Sequence, residues 1–581
     1  MMFDEVIRAS FSNSSNLRGD ALDGNWVFLL PNLQLKRILC IGQPSPQTLA
    51  TLTSLANDVV QTNTSEGIES GFDLIYIASP KRAPDLSILV HALAPRGYIY
   101  YEGQGTARLM VPDGLRLVQH LWLTPTFGNM QTAIPLGDPL TIAYFNRTGL
   151  YSPSVTQHTF DDLQRRLQKR KAASQGSQST PRPEAISKSS RKGWKKSFRT
   201  GLRKFRNVVT AVVPSLENVV TRNRLLKPLL DRRGVLLTND QQATAHRLPE
   251  YLRHIALNSN VDLSAFRWGY AARGRYRSQK LLYFLFQPLA DKPVYIIKMV
   301  RDAVFNARLE REHKGLLLLQ ERKLMPAGTL PEIVFFGHHH DLAVVGETVI
   351  EGEPFEEHSR FDANCRYAMS AIDWLIDLSA LTVTARPSID LGEAFHRLVD
   401  RFSEIYKPTP EHRTYLNDLV LRLQETPPPA VFQHGDPGTW NLLVTGGKQV
   451  AFLDWENALE HGVPLWDLLY FLRSYCVAAG QKSGNFGVLP AIKHFMLEDS
   501  PLADFIVDAF QRYCQRVALD PALVEPLFFM CWVFWAVKQA ALVEAVGLQT
   551  AHYVQLIKLC IERRDAPTIA RIFALKASEI F

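Results

Sequence analysis

The six cysteines of this 581-residue chain, Cys40, Cys365, Cys476, Cys514, Cys531 and Cys560, form no CxxC pair and show no metal-ligand spacing. That excludes zinc ribbons and C-x-x-C redox centres and predicts reduced, mostly buried thiols, as in a cytoplasmic protein. Long apolar runs are also scarce. The longest near the C-terminus, Leu527 to Val537, closes at Lys538 after eleven residues. A membrane-spanning helix needs roughly twenty, so a buried helix is expected. The first residues, MMFDEVIRAS, carry neither a basic n-region nor an apolar h-region, and a secretion signal is not expected. Acids are missing from one segment: Arg165 to Arg206 holds fifteen Lys/Arg against Glu184 alone, a local +14 within a whole-chain charge of +8, which leaves 8 − 14 = −6 for the remainder.

What is present is globular. A hydrophobic fraction of 46% with 21% charged residues suits a folded protein, and the length predicts three or four domain-sized units. Strand-like runs at Leu35–Gly42, Phe72–Ala78 and Tyr98–Glu102 alternate with helical patterns at Thr48–Asn57 and Leu86–Leu93. This alternation predicts a Rossmann-like α/β domain with parallel strands over 1–150. The order, with LAPRGYIYYEG, resembles the class I S-adenosylmethionine methyltransferase fold over about 25–145. The ligand residues of that fold are poorly kept. Gly42 is followed by Gln43-Pro44-Ser45-Pro46, whose prolines remove backbone donors, and Gln61-Thr62-Asn63 stands where an acid for the ribose is expected. A degenerate domain with a scaffolding or recognition role is expected, and an active methyltransferase would bind S-adenosylmethionine.

Residues 151–235 read as a basic linker, low in complexity over Ala172–Ser190. Within it Trp194, Phe198, Leu202, Phe205, Val209 and Val212 recur at helical spacing, with Lys195, Lys196, Arg199, Arg203 and Lys204 between them. An amphipathic helix with one cationic face follows. It suits packing on the rest of the chain or contact with an anionic membrane surface through 191–213, which would make the protein peripheral at the membrane. Nucleic acid is not favoured, since aromatic-rich strands and recognised motifs are lacking.

The organising stretch is Val431 to Asp467, VFQHGDPGTWNLLVTGGKQVAFLDWENALEHGVPLWD. His434-Gly435-Asp436 precedes Asn441 at the Asp-to-Asn spacing of a kinase catalytic loop. Asp454 follows thirteen residues later (454 − 441). Between them, Leu442–Thr445, a Gly446-Gly447 turn and Gln449–Leu453 predict a hairpin that returns Asp454 beside Asn441. Phosphoryl transfer needs a carboxylate at the acceptor hydroxyl and oxygen ligands for the metal that bridges the phosphates. Asp436 fits the first role, Asn441 and Asp454 the second. HGDxxxxN followed by a hydrophobic-Asp-Trp-Glu segment resembles the aminoglycoside phosphotransferase and choline kinase family.

That resemblance covers about 240–560 and implies a two-lobed α+β protein-kinase-like fold, with an N-lobe over 236–348 and a mostly helical C-lobe over 349–581. It also implies ATP or GTP with Mg²⁺, and a small-molecule hydroxyl acceptor of the aminoglycoside, choline or sugar kind. Strands Lys280–Gln287 and Pro293–Val300 place Lys298 inside an apolar run, where an ammonium is costly unless it meets an anion such as the nucleotide phosphates. Its expected partner is Glu312, preferred over Glu310, on the helix Asn306–Gln320. Gly269 and Gly274 are the candidates for the phosphate-covering loop, and Glu347 and Val349 for the connection that would bond the adenine edge. His338-His339-His340 is expected to be a solvated hairpin turn. His434 is expected to brace the loop, and Asp467 to cap the next helix. Glu456, Glu460, Trp440 and Trp466 would suit a cationic acceptor and are equally at home in a helical core. The rival reading is a pseudokinase-like scaffold or nucleotide-binding interaction protein.

Overall fold

The computed structural model describes residues 25–64, 67–78, 85–104, 111–123, 130–135, 141, 232–273, 280–384, 391–447, 449–484, 486–540 and 551–576. The expected amphipathic helix at 191–213 and the linker around it lie outside the described residues. The described residues fall into two compact units, one within Asp20–Arg301 with His338–His340, the other within Asp302–Gly337 and Asp341–Phe581.

The first unit begins with β1 (Leu35–Ile41), α1 (Pro46–Leu55), β2 (Ala56–Thr62) and β3 (Phe72–Ile77). Ser45 caps α1, its hydroxyl accepting the Thr48 N–H at 3.0 Å, and Pro46 takes the first turn where its missing donor costs nothing. Then come β4 (Leu93–Gln104), β5 (Arg116–Leu123), β6 (Met130–Pro135), β7 (Arg232–Thr238), α2 (Glu250–Leu257), β8 (Arg267–Arg273), β9 (Leu281–Phe286) and β10 (Tyr295–Met299). β2, β1, β3 and β4 are neighbours in that order and parallel, as the α/β alternation predicts. The middles of β1, β3 and β4 are buried apolar runs, such as Ile38-Leu39-Cys40, as strands covered on both faces require, while β2 is exposed or half-buried along most of its length.

Two expectations change here. Ser87–Ala92 forms a 3₁₀ turn instead of an α-helix, because the chain is already committed to β4 at Leu93. The α/β layer also does not close at residue 150. β7 returns after the basic segment and lies antiparallel between β4 and β5, pairing Ile99 with Leu237 and Leu121 with Gly234. From β5 the sheet runs on through β6, β8, β9 and β10, so the strands expected to begin a separate N-lobe continue the N-terminal sheet. Gly269 sits within β8 opposite Phe284, inside a strand and not in a phosphate-covering loop; Gly274 lies outside the described residues. Lys298 is in β10 opposite Leu282, 8% exposed.

The second unit starts with α3 (Asn306–Arg322), which ends on Lys323 in a left-handed cap at φ 50°. The hairpin β11 (Ile333–His339) and β12 (Leu342–Thr348) turns through His340 and Asp341, both at positive φ. The histidine turn is only partly solvated: His339 is buried, its ring 3.8 Å from that of Tyr251, and burial lowers its pKa to about 4. β13 (Gly352–Pro354), α4 (Phe355–His358), α5 (Arg366–Thr382), α6 (Leu391–Tyr406), α7 (Pro410–Glu425) and β14 (Val431–Gln433) lead to β15 (Leu442–Thr445), β16 (Val450–Phe452) and β17 (Leu459–Gly462). The chain ends in α8 (Trp466–Gly484), α9 (Val488–Ile492), α10 (Ala503–Val517), α11 (Val524–Ala540), α12 (His552–Glu562) and α13 (Pro567–Phe573). β13-β15-β16 and β14-β17 are small sheets set among these helices. α11 is apolar all round and buried from Leu527 to Phe534. By length and composition the stretch Pro521–Ala540 could cross a bilayer, yet 78% of its apolar window is buried in the fold, as for a core helix.

Candidate active site

The site grows from the end of β14. His434 is fully buried, and its backbone N–H and that of Gly435 donate to the two oxygens of Asp467, at 2.5 and 2.9 Å. Asp467 stands in the first turn of α8, where the helix dipole favours a carboxylate. The imidazole Nδ1 accepts the Asp436 N–H at 3.2 Å and Nε2–H donates to Leu453 O at 3.1 Å. One ring thereby ties the HGD turn to the far strand of the hairpin. Gly435 has φ +82°, and a Cβ there would lie 2.3 Å from Asn457 O; only glycine fits this turn.

The hairpin forms in the expected register, Leu442 opposite Phe452 and Val444 opposite Val450. Leu453 N–H donates to Asn441 O at 2.8 Å, which brings Asp454 next to Asn441. The Asn441 amide nitrogen donates to Asp436 O at 2.9 Å, so its Oδ1 points elsewhere as an available ligand. Asp454 adopts φ +66°, a left-handed conformation that Asp and Asn tolerate better than other side chains.

Asp436 is the chemically unusual member. Its Oδ1 is buried and accepts no hydrogen bond. Burial, and then the Asp454 charge, push its pKa up to about 7, against the opposing pull of the Lys538 ammonium and the Tyr470 hydroxyl. Lys538 reaches in from α11. Its Nζ donates to Asn457 Oδ1 at 3.1 Å and lies 4.5 Å from the Trp535 ring, and burial lowers its pKa to about 8.

The remaining expected residues divide. Glu312 is fully buried on α3, and its Oε1 accepts the Trp455 N–H at 3.0 Å, so the helix glutamate grips the DWE segment directly. Gly315, one turn on, lets α3 approach: a Cβ would sit 3.1 Å from Ala458 and 3.2 Å from Phe432. Glu347 is buried within β12. Val349 lines a cavity of about 380 Å³ with Gly328, Thr348, Glu351, Thr445 and Gln449, at the tip of the hairpin, while Asn441 and Asp454 lie at its base. Lys298 belongs to the first unit. Trp466 is 2% exposed with its indole N–H on Leu527 O at 3.0 Å; it is core, not cleft, and Glu460 is exposed. Lys538, Tyr470 and Arg473 were not identified from the sequence. Lys538 comes from a helix remote in sequence, whereas Tyr470 and Arg473 follow the organising stretch directly on α8; no local spacing marks any of the three.

The Asp467 clamp carries a stability prediction. Asp467→Ala strips two backbone N–H groups, one of them fully buried, of their acceptors, at roughly 1–3 kcal/mol each, so denaturant unfolding should show a loss of about 2–5 kcal/mol. Asp467→Asn, which can satisfy one donor, should fall between. Wild-type stability in the alanine variant would refute the clamp.

Residues 285–514 match the phosphotransferase enzyme family. The matched stretch contains Lys298, Glu312, Asp436, Asn441 and Asp454. No curated protein matches the chain. Among solved structures, an aminoglycoside phosphotransferase from Streptomyces rimosus, in complex with ADP and streptomycin, is 16% identical over 51% of this chain and 100% of its own, with a TM-score of 0.32. The choline kinase of Streptococcus pneumoniae is 14% identical over 48% of this chain and 89% of its own, with a TM-score of 0.28. A macrolide 2'-phosphotransferase from Brachybacterium faecium is 17% identical over 52% and 99%, with a TM-score of 0.29.

Proposed function

We propose that the protein transfers the terminal phosphoryl group of ATP or GTP to a hydroxyl of a small molecule. The observation that carries this reading is the Asp436 carboxylate. The backbone that carries it is fixed by the His434 and Asp467 bonds, its Oδ1 is free of hydrogen bonds, and its pKa is raised into the range of a general base. Asp436 accepts the proton of the acceptor hydroxyl as that oxygen attacks phosphorus. The side-chain oxygens of Asn441 and Asp454 are hard donors side by side and suit Mg²⁺, which when bound neutralises charge on the phosphates. Glu312 fixes the backbone after Asp454 and so sets where that carboxylate points. Lys298 and Gly274 are the proposed contacts of the nucleotide phosphates, and the backbone of Glu347 and Val349 those of the adenine edge.

The first unit serves as a methyltransferase-like scaffold without methyl transfer. Its parallel order and the antiparallel β7 support that likeness. The turn after β1 is filled by its own chain, since Gly42 N–H donates to Thr62 O at 2.8 Å and Ala78 N–H to Ile41 O at 2.9 Å. The deciding experiment for the activity is a transfer screen with labelled ATP and GTP, with and without Mg²⁺, against a panel of hydroxylated metabolites. Nucleotide-dependent phosphorylation of at least one compound is expected. Calorimetry showing neither nucleotide binding nor turnover would overturn the proposal.

A further inference from the structure

The helices next to Asp436 carry a cation that no carboxylate among the described residues pairs with. Arg473, one turn beyond Tyr470 on α8, is 9% exposed. Its Nη2 lies 2.7 Å from His552 Nε2, and its guanidinium lies 4.9 Å from the Tyr553 ring and 5.8 Å from the Tyr470 ring. Nε has no hydrogen-bond partner. Among the described residues no carboxylate comes within ion-pair distance of it. His552 supplies no counter-charge: burial, and then the guanidinium itself, lower its pKa to about 3, so the neutral ring only accepts a hydrogen bond. A buried guanidinium is costly unless an anion joins it, and its planar fork fits carboxylate or phosphate oxygens two at a time.

The surroundings connect this cation to the reacting end. Trp440 and Tyr470 stand edge to face at 6.0 Å, Tyr470 stacks on Trp535 at 4.6 Å, and Trp535 on Tyr553 at 5.8 Å. This aromatic wall runs from the catalytic turn to Arg473. Lys538, one turn from Trp535, adds a second cation, which faces Asp436 and Glu456 as well as Arg308 and Arg311. Asp436 offsets Lys538; among the described residues Arg473 has no such partner. A polycationic acceptor would set its ammonium groups against both.

We infer that the acceptor is a hydroxylated anion, a hydroxyl compound bearing a carboxylate or phosphate group that Arg473 binds while the hydroxyl faces Asp436. This rests on the phosphotransfer reading for the hydroxyl, and the anion site can be tested apart from it. In transfer assays the members of each matched pair, glycerate against glycerol, gluconate against glucose, glucose 6-phosphate against glucose, are compared in the wild type, Arg473→Lys and Arg473→Met. The anionic member should be preferred in kcat/KM. Arg473→Met should raise its KM roughly ten- to hundredfold more than that of the neutral member, and Arg473→Lys should recover part of the difference. In parallel, glycerate and inorganic phosphate are titrated calorimetrically into the full-length Asp436→Asn protein with and without Arg473→Met.

Anion binding that depends on Arg473, without transfer to any compound, keeps the site and removes the phosphotransfer reading. Transfer to neutral or cationic compounds only, or an equal loss for both members of each pair in Arg473→Met, removes the anion site and keeps the activity. Absence of both transfer and anion binding overturns both.

Discussion

Asp436→Asn is expected to lower kcat by about 10²- to 10⁴-fold, to leave the nucleotide dissociation constant within a few-fold, and to raise the melting temperature at pH 8. The first effect follows from removing the group proposed to take the acceptor proton. The second follows because the nucleotide contacts proposed for Lys298, Asn441 and Asp454 remain. The third is a matter of linkage. Asp436 titrates near 7 in the fold, raised by burial and by Asp454 from the ordinary 3.8. A carboxyl whose folded pKa is raised binds its proton more tightly in the native state, so its burden on stability is absent below about 3.8, grows as pH climbs, and is complete above about 7. Asparagine carries no such burden, and the gain at pH 8 should be on the order of a few kcal/mol, vanishing at pH 4. In the wild type the same ionisation gives kcat/KM an acidic limb, falling about tenfold per pH unit below about 7. A variant with near wild-type turnover, or one destabilised equally at both pH values, would remove Asp436 from the base position and recast it as a structural carboxylate.

The parts of this site that could be read from the sequence are those whose physics is local. Asp436, Asn441 and Asp454 lie within one stretch in which two apolar runs, joined through Gly446-Gly447, pair Leu442 with Phe452 and return Asp454 to Asn441. His434 and Asp467 read as supporting residues because a helix start after Gly462-x-Pro464 is a local pattern; the structure puts Asp467 in the first turn of α8 rather than at its cap, where it braces the loop by accepting the His434 and Gly435 N–H groups. Where sequence reading failed, the controlling contact was distant. β7 completes a sheet whose previous strand ended at residue 135, and nothing in RRGVLLT says which edge it will join. Gly269 has loop chemistry but sits in a strand because Trp268 and Tyr270 on either side are buried, 1% exposed each, and that burial outweighs the preference of one glycine. Trp466 suits cleft or core equally by its neighbourhood in sequence, and the structure puts it in the core. Arg473 and Lys538 look like ordinary helix cations until α8 and α11 pack around the catalytic turn.

Asp454→Asn tests the other half of the site, and the backbone makes it a clean substitution. At φ +66° an alanine would add conformational strain to the loss of charge, whereas asparagine accepts the left-handed conformation and keeps the shape, so the melting temperature should stay within about 2 °C, as for a substitution worth under 0.5 kcal/mol in a domain of this size. Activity should not survive so well. Replacing the charged one of the two oxygen ligands proposed for Mg²⁺ by a neutral amide oxygen should lower kcat/KM by about 10²- to 10³-fold, as for other preorganised charge stabilisers, and should raise the Mg²⁺ concentration needed for half-maximal rate. The same change removes the charge that, after burial, does most to raise Asp436. The acidic limb of the residual activity should therefore move to lower pH. Lys538→Met, which removes the largest opposing charge, should move it to higher pH. Opposite shifts from two residues on different elements would be hard to obtain if Asp436 were not the titrating base. Equal Mg²⁺ dependence in the wild type and Asp454→Asn, or limbs that shift in the same direction in both variants, would mean that the three carboxyl and ammonium groups do not share one site.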